Sequence, residues 1–383
     1  MLRRNFIQSL PTIAAAASSL TLISHARAQN NRDLDAYNFS CTAAMTGPLG
    51  SFGKNMKSGV DAAFAQINTR GGVNGRKLAF EVMDDAYVPA RSVENIKKIL
   101  ADKEILGLIG CLGTPNNAAI TPLIEQTTMA HLAPLTGASS LRGADLRNLF
   151  HVRASYTDET SRLVKFLVSM SIRNLAIVYL DNPYGKEVLA DAVRALAEVN
   201  INAVAQIALA TDGSNTQAVI ASVLAAKPSA VLLGTAGAAS TAVVAAIRKA
   251  STSIPIASIS PALTQDGIKQ LGVAAKGIGV TMVFPDADQA KLQLVREYQA
   301  AAKMSGLDNF STGSLEGYVS GRIMAEALLR AGKSANREKI RNSIASIRQF
   351  DLGGFPIDFG SRPYVASKFV NLGVMSAEGR LKG

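Results

Sequence analysis

The chain has 383 residues, 48% hydrophobic and 18% charged, which is too apolar for a disordered chain and too long for one small core, so two lobes are expected. The net charge of +11 is spread without a basic run, and Trp is absent, so no nucleic-acid partner is expected. No window holds the roughly 20 strongly apolar residues that cross a bilayer, and no repeat with a period of about 20–50 residues is present.

Residues 1–28 read as an export signal. Arg3 and Arg4 open a basic start, an Ala/Leu/Ile-rich run follows, and Ala26-Arg27-Ala28 is a small-x-small site with cleavage expected before Gln29. The start Arg3-Arg4-Asn5-Phe6-Ile7 also resembles a twin-arginine signal, and the Sec and twin-arginine routes both stay open. The periplasm is the expected location. The only cysteines, Cys41 and Cys111, sit in apolar strand-like runs and are expected to lie close together, bonded or not.

From residue 37 on, strands and helices alternate. Strands are predicted over 37–44, 77–83, 105–110, 131–133 and 149–152, with helices over 55–68, 89–101 and 115–126. A second set follows: helices over 158–170, 185–199, 216–226 and 237–249, and strands over 175–180, 203–207, 230–233, 256–259 and 279–283. Alternation of this kind implies parallel sheets covered on both faces, hence two doubly wound lobes of an α/β fold. The rhythm then breaks into helices over 291–304, 313–331 and 337–346. Strands over 353–359 and 368–375 must join an existing sheet, so the chain crosses between lobes more than once.

The loops after the strands share a character. "MTGPLGSFG", "CLGTPNN", "APLTGASSL", "LDNPYGKE" and "LLGTAGAAS" are rich in Gly, Thr and Ser. Ligands of open parallel sheets bind beyond the carboxyl ends of the strands. Thr114 is placed to cap a helix with Pro115 at its first position. Free amides there favour an anion, typically a carboxylate. Phe52 and Tyr184 offer apolar walls. Together these are the parts of a small-molecule cleft.

Other chemistries fail on detail. No G-x-G-x-x-G follows the first strand, and no G-x-x-x-x-G-K-[ST] occurs. Gly317-Tyr318-Val319-Ser320-Gly321 puts its Ser one place off a nucleophile elbow. Beyond the signal only His131 and His151 remain, too few to support a triad or metal site readily. Asp84-Asp85 reads as turn and cap groups, because neighbours on a strand point apart. Tyr156 and Glu159 read as hinge and surface groups. The long helix over 313–331 reads as structural, burying Ile323, Ala327 and Leu328. No enzyme activity, metal or cofactor is expected.

"TGPLGSFG", "NGRKLAFEVMDD", "LIGCLGTPNNAAITPLIE", "HLAPLTGASSLR", "LDNPYGKE" and "SLEGYVSGRIMAEALLRAG", in that order, resemble the periplasmic substrate-binding proteins of branched-chain amino acid-type ABC transporters, of type I periplasmic binding fold. The resemblance implies two Rossmann-like lobes joined by three crossovers, near 151–154, 284–285 and 352–355. The first lobe would hold residues 36–153 and 284–351, and the second 154–283 and 352–383. It implies that Thr114 holds a ligand carboxylate and that Leu135, Thr136 and Gly137 hold its polar head. Phe52 and Tyr184 would be aromatic walls, and Thr235 and Pro261 would line the second lobe. It also implies a monomeric receptor that delivers ligand to an inner-membrane permease. A sensor on the same fold feeding a membrane receptor is the alternative, and an exported hydrolase a more distant one. Amino-acid-binding members carry an acidic residue in the loop matching "SISPALTQD" to meet the ligand ammonium. Here Pro261-Ala262 stand there, so an ammonium-free aromatic or aliphatic acid fits at least as well as an amino acid.

Overall fold

The computed structural model describes residues 36–251 and 253–383. The export signal read over residues 1–28 lies outside the described residues.

The first lobe opens with β1 (Tyr37–Ala43), α1 (Gly50–Asn68), β2 (Leu78–Asp84), α2 (Pro89–Ala101), β3 (Ile105–Ile109), α3 (Thr114–Glu125), β4 (His131–Leu132) and β5 (Leu149–His151). The second contains α4 (Tyr156–Ser169), β6 (Leu175–Leu180), α5 (Pro183–Ala197), β7 (Ala205–Leu209), α6 (Thr216–Ala226), β8 (Ala230–Gly234), α7 (Gly237–Ala250), β9 (Ile256–Ser258), α8 (Gln265–Leu271) and β10 (Gly279–Met282). The chain then adds α9 (Gln293–Met304), α10 (Thr312–Ala331) and α11 (Arg337–Ala345). It ends in β11 (Phe350–Asp351), β12 (Pro356–Ile357), β13 (Tyr364–Val365), β14 (Asn371–Met375) and β15 (Leu381–Lys382).

The first sheet has the order β13-β5-β4-β3-β1-β2 and is parallel throughout. The second has the order β15-β14-β10-β9-β8-β6-β7, in which β14 alone is reversed, pairing antiparallel with both β10 and β15. Both cores follow the same winding, in which the second strand lies outside the first and the third crosses to its other side. The connections part company between β1 and β3, and again between β6 and β8. A crevice opens at each such point, at the carboxyl ends of the strands. β1 and β8 are buried at every residue, as central strands covered on both faces must be.

Two differences from the expected elements matter. Gly353 and Gly354, with φ of 91° and 93°, turn the chain between β11 and β12, so the strand expected over 353–359 is a short hairpin instead. The second concerns the last crossover. β13 pairs with β5 in the first sheet, Tyr364 opposite Phe150 and Val365 opposite His151. The Tyr364 ring stacks on Phe150 at 4.7 Å, and Phe359 meets the same ring edge-on at 5.6 Å. This aromatic cluster keeps the chain on the first sheet past the crossover expected at 352–355. The passage to the second sheet falls between Val365 and Asn371.

α1 and α10 pack so closely that their backbones touch. A Cβ on Gly59 would lie 1.8 Å from the Ser314 carbonyl oxygen, and one on Gly317 2.1 Å from that of Met56. The helix reading of 313–331 is met in this way: Ile323, Ala327 and Leu328 are fully buried, and Ser320 bonds back to the Glu316 carbonyl within the helix. Cys41 and Cys111 are buried free thiols close enough to perturb one another, so the expected closeness holds. Burial and the neighbouring Cys111 thiol push Cys41 up from its ordinary value.

Asp84 and Asp85 divide their work. Asp85 is buried and accepts from the Thr42 and Ser92 hydroxyls at 2.9 and 2.7 Å and from the Tyr87 amide at 2.8 Å. Asp84 is exposed and holds the first loop through the amides of Met45, Thr46 and Ala86 and the Thr46 hydroxyl. Burial raises its carboxyl slightly, but these donors outweigh it and hold the group at about 2.

Two predictions follow from these contacts. Gly317→Ala forces α1 and α10 apart and lowers stability by about 1–3 kcal/mol, read as an earlier midpoint in urea. Asp84 titrates lower folded than unfolded, so its contribution is whole above pH ~4 and is lost as pH falls toward 2. Urea midpoints measured across that window will fall more steeply in the wild type than in Asp84→Asn.

Candidate functional site

The elbow after β3 is stitched to strands on both sides. The Leu112 amide donates to the Thr42 carbonyl at 3.3 Å, and the Gly113 amide to that of Leu135 at 3.2 Å. Gly113 has φ of 96°, and a Cβ there would lie 2.3 Å from the Tyr87 ring, so this position requires glycine. α3 then begins at Thr114 with Pro115 next. Its N-cap is Gly113, not Thr114, and no side chain caps it. The Thr114 hydroxyl turns instead to that of Thr136, 2.8 Å away. A helix start without a side-chain cap, with its positive end toward a cavity, is ready for an anion.

That cavity lies between the two sheets and encloses about 190 Å³. Of the residues expected at the site, Phe52, Thr114, Leu135, Tyr184 and Pro261 line it. Thr136, Gly137 and Thr235 stand behind the wall. Thr136 is buried, bonded to Thr114 and to the Ala138 amide. Gly137 leaves room for the Tyr156 ring, which a Cβ would meet at 2.5 Å. Thr235 gives its hydroxyl to Ser240 at 2.6 Å and its carbonyl to the Tyr184 hydroxyl at 3.2 Å. Tyr184 in turn meets Tyr156 edge-on at 5.4 Å. The residues behind thus set the orientation of those in front.

Tyr87, Tyr156, Arg153 and Glu316 are among the lining residues that were not singled out as ligand contacts. Tyr156 lines the cavity, and Glu159 is fully buried rather than a surface group. Glu159 accepts from the Ser260 amide at 2.8 Å, the Ser260 hydroxyl at 3.1 Å and the Thr281 hydroxyl at 2.5 Å. Burial still raises its pKa, opposed by Arg153 and these donors. Arg153 Nη2 donates to the Ser260 hydroxyl at 2.5 Å, and its Nε lies 3.8 Å from Glu316 Oε1. Burial raises Glu316 as well, again against Arg153. Burial alone would lower Arg153, but Glu316 and Glu159 reverse that. No sequence motif marks Arg153 or Glu316; a charged residue on an otherwise small and apolar face of α10 is the single signal available.

The lobes meet at the rim of the cleft. Glu187 accepts from both the amide and the hydroxyl of Ser140, at 2.9 and 3.0 Å. The Gln265 side chain donates to the Phe310 carbonyl at 2.6 Å. Gly237, opening α7, sits against Pro48 and Leu49. Neither His131 nor His151 lines the cavity. His151 faces the Leu141 carbonyl at 2.8 Å, and burial together with nearby Arg142 holds its pKa well below the ordinary value. The Cys111 amide donates to His131 at 3.3 Å.

A family model described as periplasmic binding protein matches residues 41–366. A Leu/Ile/Val-binding protein homolog of Brucella melitensis is 26% identical over 154 residues, 40% of this chain and 41% of that protein. The matched stretch thus spans about two fifths of the length of these curated relatives. A solved structure of a possible leucine/isoleucine/valine-binding protein from Rhodopirellula baltica is 26% identical, with a TM-score of 0.84 over 92% of this chain and 98% of that one. A substrate-binding periplasmic protein from Ralstonia solanacearum shares the fold, with a TM-score of 0.85 at 24% identity over 90% of this chain and 99% of that one. With the family match covering most of the chain and the same two-lobed fold, this chain belongs to the periplasmic binding protein family.

Proposed function

We propose that this protein is a periplasmic receptor of an ABC importer that captures a small carboxylate-bearing ligand between its two lobes and delivers it to an inner-membrane permease. One observation carries the reading: the uncapped start of α3 at Thr114 faces a cavity enclosed by both lobes. The Thr114 amide and hydroxyl hold the ligand carboxylate. Phe52, Tyr87, Tyr156 and Tyr184 bury the rest, which suits a ring or an aliphatic chain. Neither His131 nor His151 lines the cavity, and we read the chemistry there as hydrogen bonding and burial. Ligand that contacts both walls favours the closed arrangement by its differential affinity for it.

The relatives' names point to branched-chain amino acids. The polar equipment beside the tyrosines differs from an ammonium site: Glu316 stands next to Arg153, Glu159 is taken up by Ser260 and Thr281, and Asp85 by Thr42 and Ser92, which leaves Asp286 and Asp288 as the other acidic lining residues. We therefore favour a carboxylate without an ammonium.

The test uses protein unfolded and refolded to release carried-over ligand, then screened by thermal shift. The panel is benzoate, phenylacetate, short fatty acids, leucine and valine. A ligand at 100 times its Kd adds about 2.7 kcal/mol. Ammonium-free acids will raise the melting temperature, and Thr114→Ala will weaken them about tenfold, the worth of one hydrogen bond to a charged group. A shift with leucine or valine alone, or a Thr114→Ala variant with full affinity, contradicts the reading.

A further inference from the structure

The buried ion pair in the cleft is not a closed structural unit. Arg153 and Glu316 are 7% and 5% exposed, yet Arg153 Nε and Glu316 Oε1 have no hydrogen-bond partner among the described residues. Buried polar atoms are normally satisfied, and one left over is costly. These two lie 3.8 Å apart, and both side chains line the cavity. Glu159 shows the contrast: equally buried, it is saturated by Ser260 and Thr281.

We propose that Arg153 and Glu316 form a second polar subsite of the cleft, which reads a neutral ligand group that accepts from the Arg153 guanidinium and donates to the Glu316 carboxylate. The inference rests on the carboxylate reading above and names what the other end of that ligand carries. A hydroxyl accepts and donates through one oxygen, so it can meet both side chains at once. A carboxamide offers the same pair of functions on adjacent atoms. Charge selects against the alternatives. An ammonium at Glu316 would be pressed against the Arg153 guanidinium, and a second carboxylate at Arg153 against Glu316. Arg153 stands between the carboxylates of Glu159 and Glu316, and Arg142 lies near Arg153, Glu159 and Asp158. Each charge here already has an opposite neighbour, so a charged ligand group meets a like charge along with an opposite one. A site with a fixed donor and acceptor discriminates strongly against analogues that lack the matching group, because its own buried atoms are then left unpaired.

The experiment measures Kd by calorimetry for two probe series that share a carboxylate and differ at the far end. One comprises benzoate, 4-hydroxybenzoate, 4-carbamoylbenzoate, 4-(aminomethyl)benzoate and terephthalate. The other comprises pentanoate, 5-hydroxypentanoate, glutaramate, 5-aminopentanoate and glutarate. The hydroxyl or carbamoyl member of at least one series binds ten or more times tighter than its unsubstituted parent. The hydroxyl-to-parent affinity ratio collapses toward one in Glu316→Leu, and Glu316→Gln, whose amide oxygen still accepts, keeps most of it. Preference for the ammonium or dicarboxylate members overturns the proposal. Equal binding of all members overturns it too, yet leaves the carboxylate reading standing. If no member binds, both fall. The wild-type comparison decides these outcomes even if the variants do not fold.

Discussion

A charge buried in a protein must be matched on the spot, and that constraint organises the floor of this cleft. Glu159 enters the interior from the first turn of α4, where a carboxylate without partners would be very costly. It is matched by Ser260, which follows β9, and by Thr281 of β10. Arg153, at the end of the first sheet, reaches the same Ser260 hydroxyl. One serine therefore joins the segment that leaves the first lobe to the wall of the second. The position of Tyr156 and the seat of Glu316 beside Arg153 follow from this knot.

The elbow at Gly113 obeys a milder form of the same rule. Its amides are claimed by β1 on one side and the Leu135 segment on the other, so the loop has little freedom. What stays open is the start of α3, where the Thr114 hydroxyl is tied to Thr136 rather than spent on a cap. In the proposed site a rigid anion seat on the first lobe faces rings from both lobes, with Thr136, Gly137 and Thr235 holding them from behind. The shared winding of the two sheets brings their crevices face to face without any special device.

Much of this was legible in the residues. α2, β6 and α6 begin and end where expected, because α2 has a clear apolar rhythm with Pro89 at its start, β6 is an unbroken apolar run, and α6 is an apolar run between polar turns. The Gly- and Thr-rich loops announced the cleft. Other features were out of reach for physical reasons. β13 is two residues long and is held by rings distant in sequence, so no local pattern reports it. α8 is about two turns long, with Gly267 inside it and Gly272 at its end, and lacks a repeating face. Lining and supporting residues share one loop chemistry: Leu135 faces the cavity while Thr136 beside it faces Thr114, and only tertiary geometry separates them. Glu316 lies in a helix whose apolar pattern marks it as core, and its partner Arg153 is 163 positions away in the chain.

The central claim is that the start of α3 seats a carboxylate. A crystal structure of the protein with its tightest-binding carboxylate tests it most directly. The account predicts ligand oxygens within hydrogen-bonding distance of the Thr114 amide and hydroxyl, with the remainder of the ligand against Tyr156 and Tyr184. A ligand carboxylate paired instead with Arg153, with no oxygen at the Thr114 amide, would contradict it.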